Sequence, residues 1–152
     1  MANKRMVPGS SASKGLQSGI PVYDEGTYQV EIKSVAIDET RAGTGEMLKL
    51  RGKILEGPRQ ADGTDVKGAT WFHSIFMPFE EHPSYESMKE MVADRIKGLC
   101  DAAGVKIPKS DNVDFDQLEG KALEVDMTVS LREDKRTGEQ VPQNEVRAYR
   151  EA

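Results

Sequence analysis

The stretch "EMLKLRGKILEG", residues 46–57, decides how this chain is read. Leu48, Leu50 and Ile54 fall on one side of an extended backbone, and Lys49, Arg51 and Lys53 fall on the other. Strict alternation over this length is the signature of a half-buried strand. Three cations on one face are unexpected in a chain whose net charge is -5.

Similar patterns lie on either side. Residues 28–37, "YQVEIKSVAI", alternate through Tyr28, Val30 and Ile32, then change phase to Val35 and Ile37. The change predicts a bulge near Ser34, and Tyr28 is expected in the core. Gly43 and Gly45 mark a turn between these two strands. After a polar loop, residues 69–77, "ATWFHSIFM", form a third strand rich in aromatic and branched residues. Pro78 and Pro83 stop it. Ser84 is a candidate helix N-cap. Met88, Met91, Val92, Ile96, Leu99 and Ala103 then recur at helical spacing, and Gly104 suits the C-cap. "DFDQLEG", residues 114–120, predicts a short helical turn. Residues 121–131 alternate again, and a fifth strand is expected from about Val141 to Tyr149, with Pro142 pointing to a sheet edge.

Three strands, one helix and two strands is the order of the OB-fold. The expected architecture is therefore mainly β: a five-stranded Greek-key barrel with one α-helix between strands 3 and 4. It would span residues 21–152, preceded by a flexible basic arm over residues 1–20 that carries Lys4, Arg5 and Lys14 and no acid.

Other classes find little support. The apolar runs fall short of the roughly 20 residues a membrane helix needs, and no apolar signal segment follows Lys4 and Arg5. A single cysteine, Cys100, forbids an internal disulfide and suits a reducing cytoplasm. No phosphate-binding loop, GxSxG or HExxH motif is present. Asp111, Asp114, Asp116 and Glu119 lack the spacing and central glycine of a calcium loop. Helix capping and solubility explain them better. No enzyme, metal or cofactor is expected.

The charge is uneven. Residues 80–126 hold 12 acids and 6 bases, whereas the rest holds 14 acids and 15 bases. Acidity thus belongs to the helical segment, expected at the bottom of a barrel, away from its ligand face. OB-folds bind across strands 2 and 3 and the flanking loops. Outward residues on a strand sit about 7 Å apart, so Lys49, Arg51 and Lys53 suit a single-stranded phosphate backbone. A solvated face, or an edge guarded by lysine, would look the same.

Strand 3 has two phases. Trp71, His73 and Ile75 share one face; Phe72, Ser74 and Phe76 share the other. We expect Trp71 and His73 outside, beside the cations, where a ring can stack on a base. In the reversed phase Trp71 is core and Phe72 is the stacker. Arg41 in the first hairpin loop, Arg132, Lys135 and Arg136 in the last, and Arg147 on the final strand are further candidate contacts.

The segments "YQVEIKSV", "GEMLKLRGKIL", "IKGLCDAAG", "FDQLEGKALEVDMTV" and "TGEQVPQNEVRAY" together resemble bacteriophage-type OB-fold single-stranded DNA-binding proteins over roughly residues 26–150. The resemblance implies a non-catalytic protein that coats single-stranded DNA in phage replication, recombination or repair. Its place would be the cytoplasm of the infected host. Its partners would be single-stranded DNA, replication or recombination proteins, and further copies of itself assembling on DNA, with no membrane. The chain ends "VRAYREA", which departs from the acidic partner-recruiting tail of several such proteins. The alternative is an OB-fold structural or adaptor module that binds a protein.

Overall fold

The computed structural model describes residues 21–110, 113–134 and 136–152. The expected arm at 1–20 lies outside the described residues, as does Lys135. The strands are β1 (Gly26–Glu39), β2 (Gly45–Glu56), β3 (Thr70–Pro78), β4 (Ala122–Glu133) and β5 (Gln140–Glu151). One helix, α1 (Tyr85–Ala103), joins β3 to β4, and a 3-10 turn, Phe115–Leu118, precedes β4. All ladders are antiparallel, in the order β3-β2-β1-β4-β5. This is the element order of the OB-fold.

The predicted bulge is present. The β1–β2 register slips between Ile32 and Ser34, leaving Lys33 without a ladder partner. The slip bends β1, whose first half pairs with β4 while β2 follows nearly its whole length. Further slips lie between Gln29 and Val30, where Leu55 on β2 is skipped, and between Asp126 and Met127, where Arg147 on β5 is skipped. A bulge of this kind re-aims side chains and sharpens strand twist.

The inward positions fill one core: Tyr28, Val30 and Ile32 from β1, Leu48, Leu50 and Ile54 from β2, Leu123, Val125 and Met127 from β4, and Val146 from β5. Burying such a side chain contributes roughly 1.5–3 kcal/mol, so a one-residue slip that turned a strand over would be strongly disfavoured.

α1 closes one side. Its apolar stripe divides: Val92, Leu99 and Ala103 are buried and Ile96 partly so, whereas Met91 is half exposed. Gly104 ends the helix in the left-handed region at φ 76°, and Val105 N–H donates to the Cys100 carbonyl at 2.8 Å. Ser84 occupies the N-cap position without a side-chain cap bond. Asp114 caps the 3-10 turn by accepting from Asp116 N–H, as its capping role predicts. Cys100 is fully buried, and burial pushes its thiol pKa up, which makes it unreactive.

β3 and β5 are the two edges of the sheet, as Pro142 predicts for β5. They meet through side chains. His73 Nε2 and the Tyr149 hydroxyl are 2.6 Å apart, and α1 packs against both edges.

Candidate nucleic-acid interface

Residues directly opposite in a ladder share a face of the sheet. Leu48, Leu50 and Gly52 pair with Ile75, His73 and Trp71 on the inner face; Lys49, Arg51 and Lys53 pair with Ser74, Phe72 and Thr70 on the outer face. The expected phase of strand 3 is therefore reversed. Trp71 is 1% exposed and packs in the core, while Phe72 is 38% exposed.

Gly52 explains the reversal. It occupies an inward position between Leu50 and Ile54, where a side chain would normally fill the core. A Cβ there would lie 2.3 Å from the Glu31 carbonyl oxygen and 3.2 Å from the Trp71 ring. The missing side chain makes the room that the opposing indole takes. A glycine in the apolar phase of a strand was the available sequence signal for a large residue across the ladder.

His73 is likewise removed from the outer face. Its ring stacks on Trp71 with centroids 5.7 Å apart and 25° between planes, and it meets Tyr149 on β5. Burial, with a smaller contribution from the Arg95 charge, lowers its pKa to about 4. Burial raises that of Tyr149 to about 12. Both are neutral near pH 7, which suits a hydrogen bond that joins the sheet edges rather than a contact to phosphate.

The cations of β2 are where alternation puts them. Lys49, Arg51 and Lys53 are exposed. The Arg51 guanidinium lies over the Phe72 ring, 5.9 Å from its centroid. Lys49 is held by Asp38 at 3.2 Å. Among the described residues, Arg51 and Lys53 have no carboxylate within ion-pairing distance. A planar cation on an aromatic ring, flanked by two ammonium groups, can meet phosphate and base together.

Phe72 also borders a cleft of about 480 Å³ between β3, the N-terminal half of α1 and the β4–β5 hairpin. Met47, Phe76, Met88 and Met91 supply its apolar wall; Arg95, Arg132, Gln143 and Glu145 supply polar groups. Arg132 is thus brought to the Phe72 side, though it also lies 3.6 Å from Glu145. Arg95, Gln143 and Glu145 were not among the candidates: α1 carries no periodic basic signal, and the two β5 residues lie far from β3 in sequence.

The remaining candidates do not join this group. Arg147 faces a groove with Ser87, Glu90, Asp94 and Tyr149. Arg41 is exposed in the β1–β2 turn. Arg136 is exposed at the β4–β5 tip, with its guanidinium 4.0 Å from Asp134. Arg150, a further cation of β5, is engaged by Glu124 at 2.8 Å and by Asp126, whose carboxyl pKa is lowered to about 2 by hydrogen bonds from Arg150 and then from the Thr27 hydroxyl.

Among the described residues, no group of three or more His, Cys, Asp or Glu side chains is placed to hold a metal ion. No described helix is long and apolar enough to cross a membrane.

The chain belongs to the family described as "Protein of unknown function (DUF669)", whose pattern matches residues 11–152. No curated protein matches it.

Proposed function

We propose that the protein is a sequence-tolerant single-stranded DNA-binding protein that lays the strand across the outer face of β2 and β3. The observation that carries this reading is the Arg51–Phe72 pair, set between Lys49 and Lys53 on one face. Cations neutralise the phosphates, and the exposed ring stacks on a base. Arg132 extends the positive surface into the adjoining cleft. The acids Glu90 and Asp94 lie in the Arg147 groove instead, which keeps them out of that cleft. On this reading the protein acts without catalysis in phage replication, recombination or repair, in the cytoplasm of the host.

Fluorescence anisotropy of a labelled dT oligonucleotide tests the proposal. Binding should be tight at low salt and weaken steeply as salt rises. The variant K49E/R51E/K53E should lose binding while its thermal unfolding stays cooperative. Absence of binding at low salt, or wild-type affinity in the folded triple variant, would overturn the reading.

A protein-binding adaptor is the second reading. The Met47, Met88 and Met91 thioethers around the cleft favour it, because methionine-rich surfaces adapt to varied partners. On that reading the triple reversal leaves partner binding intact.

A further inference from the structure

The cleft beside Phe72 has more polar chemistry than phosphate binding needs. Its volume of about 480 Å³ falls within the roughly 300–1,000 Å³ of small-molecule sites. Phe72 and Phe76 line one side of it on β3, and Gln143 and Glu145 line the other on β5. Gln143 and Glu145 are two residues apart on one strand, so they point the same way. The Gln143 amide makes no hydrogen bond among the described residues. The Ser130 hydroxyl donates to Glu145 Oε1 at 2.9 Å, and Arg132 approaches the same oxygen at 3.6 Å. The carboxylate is thereby oriented and partly neutralised, and its other oxygen has no partner among the described residues.

This geometry points to a nucleobase pocket that prefers bases with an exocyclic amino group. The inference rests on the single-stranded DNA reading and adds a base preference to it. An unpaired base enters from the β2–β3 face, against Phe72. Glu145 accepts from the amino group, as a carboxylate does from cytosine N4. The Gln143 amide donates to the ring acceptors beside it. Arg132 and Arg95 at the cleft wall neutralise the adjoining phosphates. Thymine offers a carbonyl oxygen where cytosine offers the amino group, so it meets the carboxylate with two acceptors facing each other. The cations exclude an apolar peptide, and the exposed Phe72 ring under Arg51 favours a stacking base of DNA over an acidic peptide, which brings charge without a flat ring. Phe72 links the two regions, since it lines the cleft and carries the Arg51 guanidinium over its ring.

The test compares dC8 and dT8, which have equal length and charge, by anisotropy at low salt with the full chain. The expected result is a preference for dC8 of about fivefold or more, as one base-edge hydrogen bond to a charged group provides. The E145Q variant should bring the two affinities together, because its amide can also donate to thymine O4. If Glu145 acted only as a repulsive charge, E145Q would strengthen both oligonucleotides equally and leave their ratio unchanged. A folded F72A variant should weaken both alike. Equal wild-type affinities for dC8 and dT8, or a ratio that survives E145Q, would overturn the pocket while leaving the DNA-binding reading standing. Failure of both oligonucleotides to bind at low salt would overturn both.

Discussion

Gly52 and Trp71 face each other across the β2–β3 ladder, and a Cβ on Gly52 would collide with the Glu31 carbonyl oxygen and crowd the indole. This relationship sets which face of β3 is core. It therefore sets which aromatic ring is left for a ligand. Substituting Gly52→Ala should force a backbone carbonyl and the indole apart. Overpacking of this kind costs roughly 1–3 kcal/mol, or about 2–12 °C of unfolding temperature for a domain of this size. Thermal melts followed by circular dichroism measure it. An unchanged melting temperature would contradict the packing described.

Phe72 should behave as a ligand residue and not as core. Phe72→Ala should lower affinity for single-stranded DNA by roughly fivefold to a hundredfold, the effect of losing one stacked base. Its unfolding temperature should fall much less than a core truncation would lower it, because the ring is 38% exposed. Trp71 fluorescence provides the counterpart measurement. Saturating DNA should leave the emission of the buried indole nearly unquenched while anisotropy reports full binding. Strong direct quenching would mean that the opposite face of β3 meets the bases.

The salt dependence should separate the three cations. Each phosphate neutralised on a single strand contributes about 0.7 to the slope of log affinity against log salt. Arg51→Gln and Lys53→Gln should each reduce the slope by about that amount. Lys49 is already engaged by Asp38, so Lys49→Gln should reduce it less. Asp38→Asn should free Lys49 and tighten binding several-fold. If Asp38→Asn weakens binding, Lys49 does not face the ligand.

His73 gives stability a specific pH dependence. Its folded pKa is depressed to about 4 by burial and then by Arg95, against an ordinary value of 6.5. The unfolded chain therefore takes up a proton that the folded chain refuses. The stabilisation is complete above pH 6.5 and is lost as pH falls from there to about 4, amounting to roughly 3 kcal/mol at most. Denaturant midpoints across this window should show the decline, and His73→Gln should flatten it. The Asp126 carboxyl, lowered to about 2, acts only further into acid. A decline that persists unchanged in His73→Gln would assign it to other groups.

Much of the fold was legible because alternation and helical spacing are local properties. The β1 bulge, the 3-10 turn at Phe115–Leu118, the Gly104 cap and the edge position of β5 all follow from residues near each other in sequence. The outward row Lys49, Arg51 and Lys53 follows equally, since Leu48, Leu50 and Ile54 leave no doubt which side of β2 is apolar.

β3 was different. Trp71, His73 and Ile75 are about as apolar as Phe72, Ser74 and Phe76, so periodicity within the strand could not choose a face. The choice lay in Gly52 on the neighbouring strand. The cleft was further out of reach, because Phe72, Arg95, Arg132 and Glu145 come from four elements separated by long stretches of chain. The sequence by itself determined the strands, the helix, their order and the basic face of β2, all of which depend on side-chain spacing along one segment. Only the tertiary structure decided that Phe72 replaces Trp71 on that face and that a polar cleft adjoins it. Complementary volumes and neighbours across a sheet exist only once the segments pack.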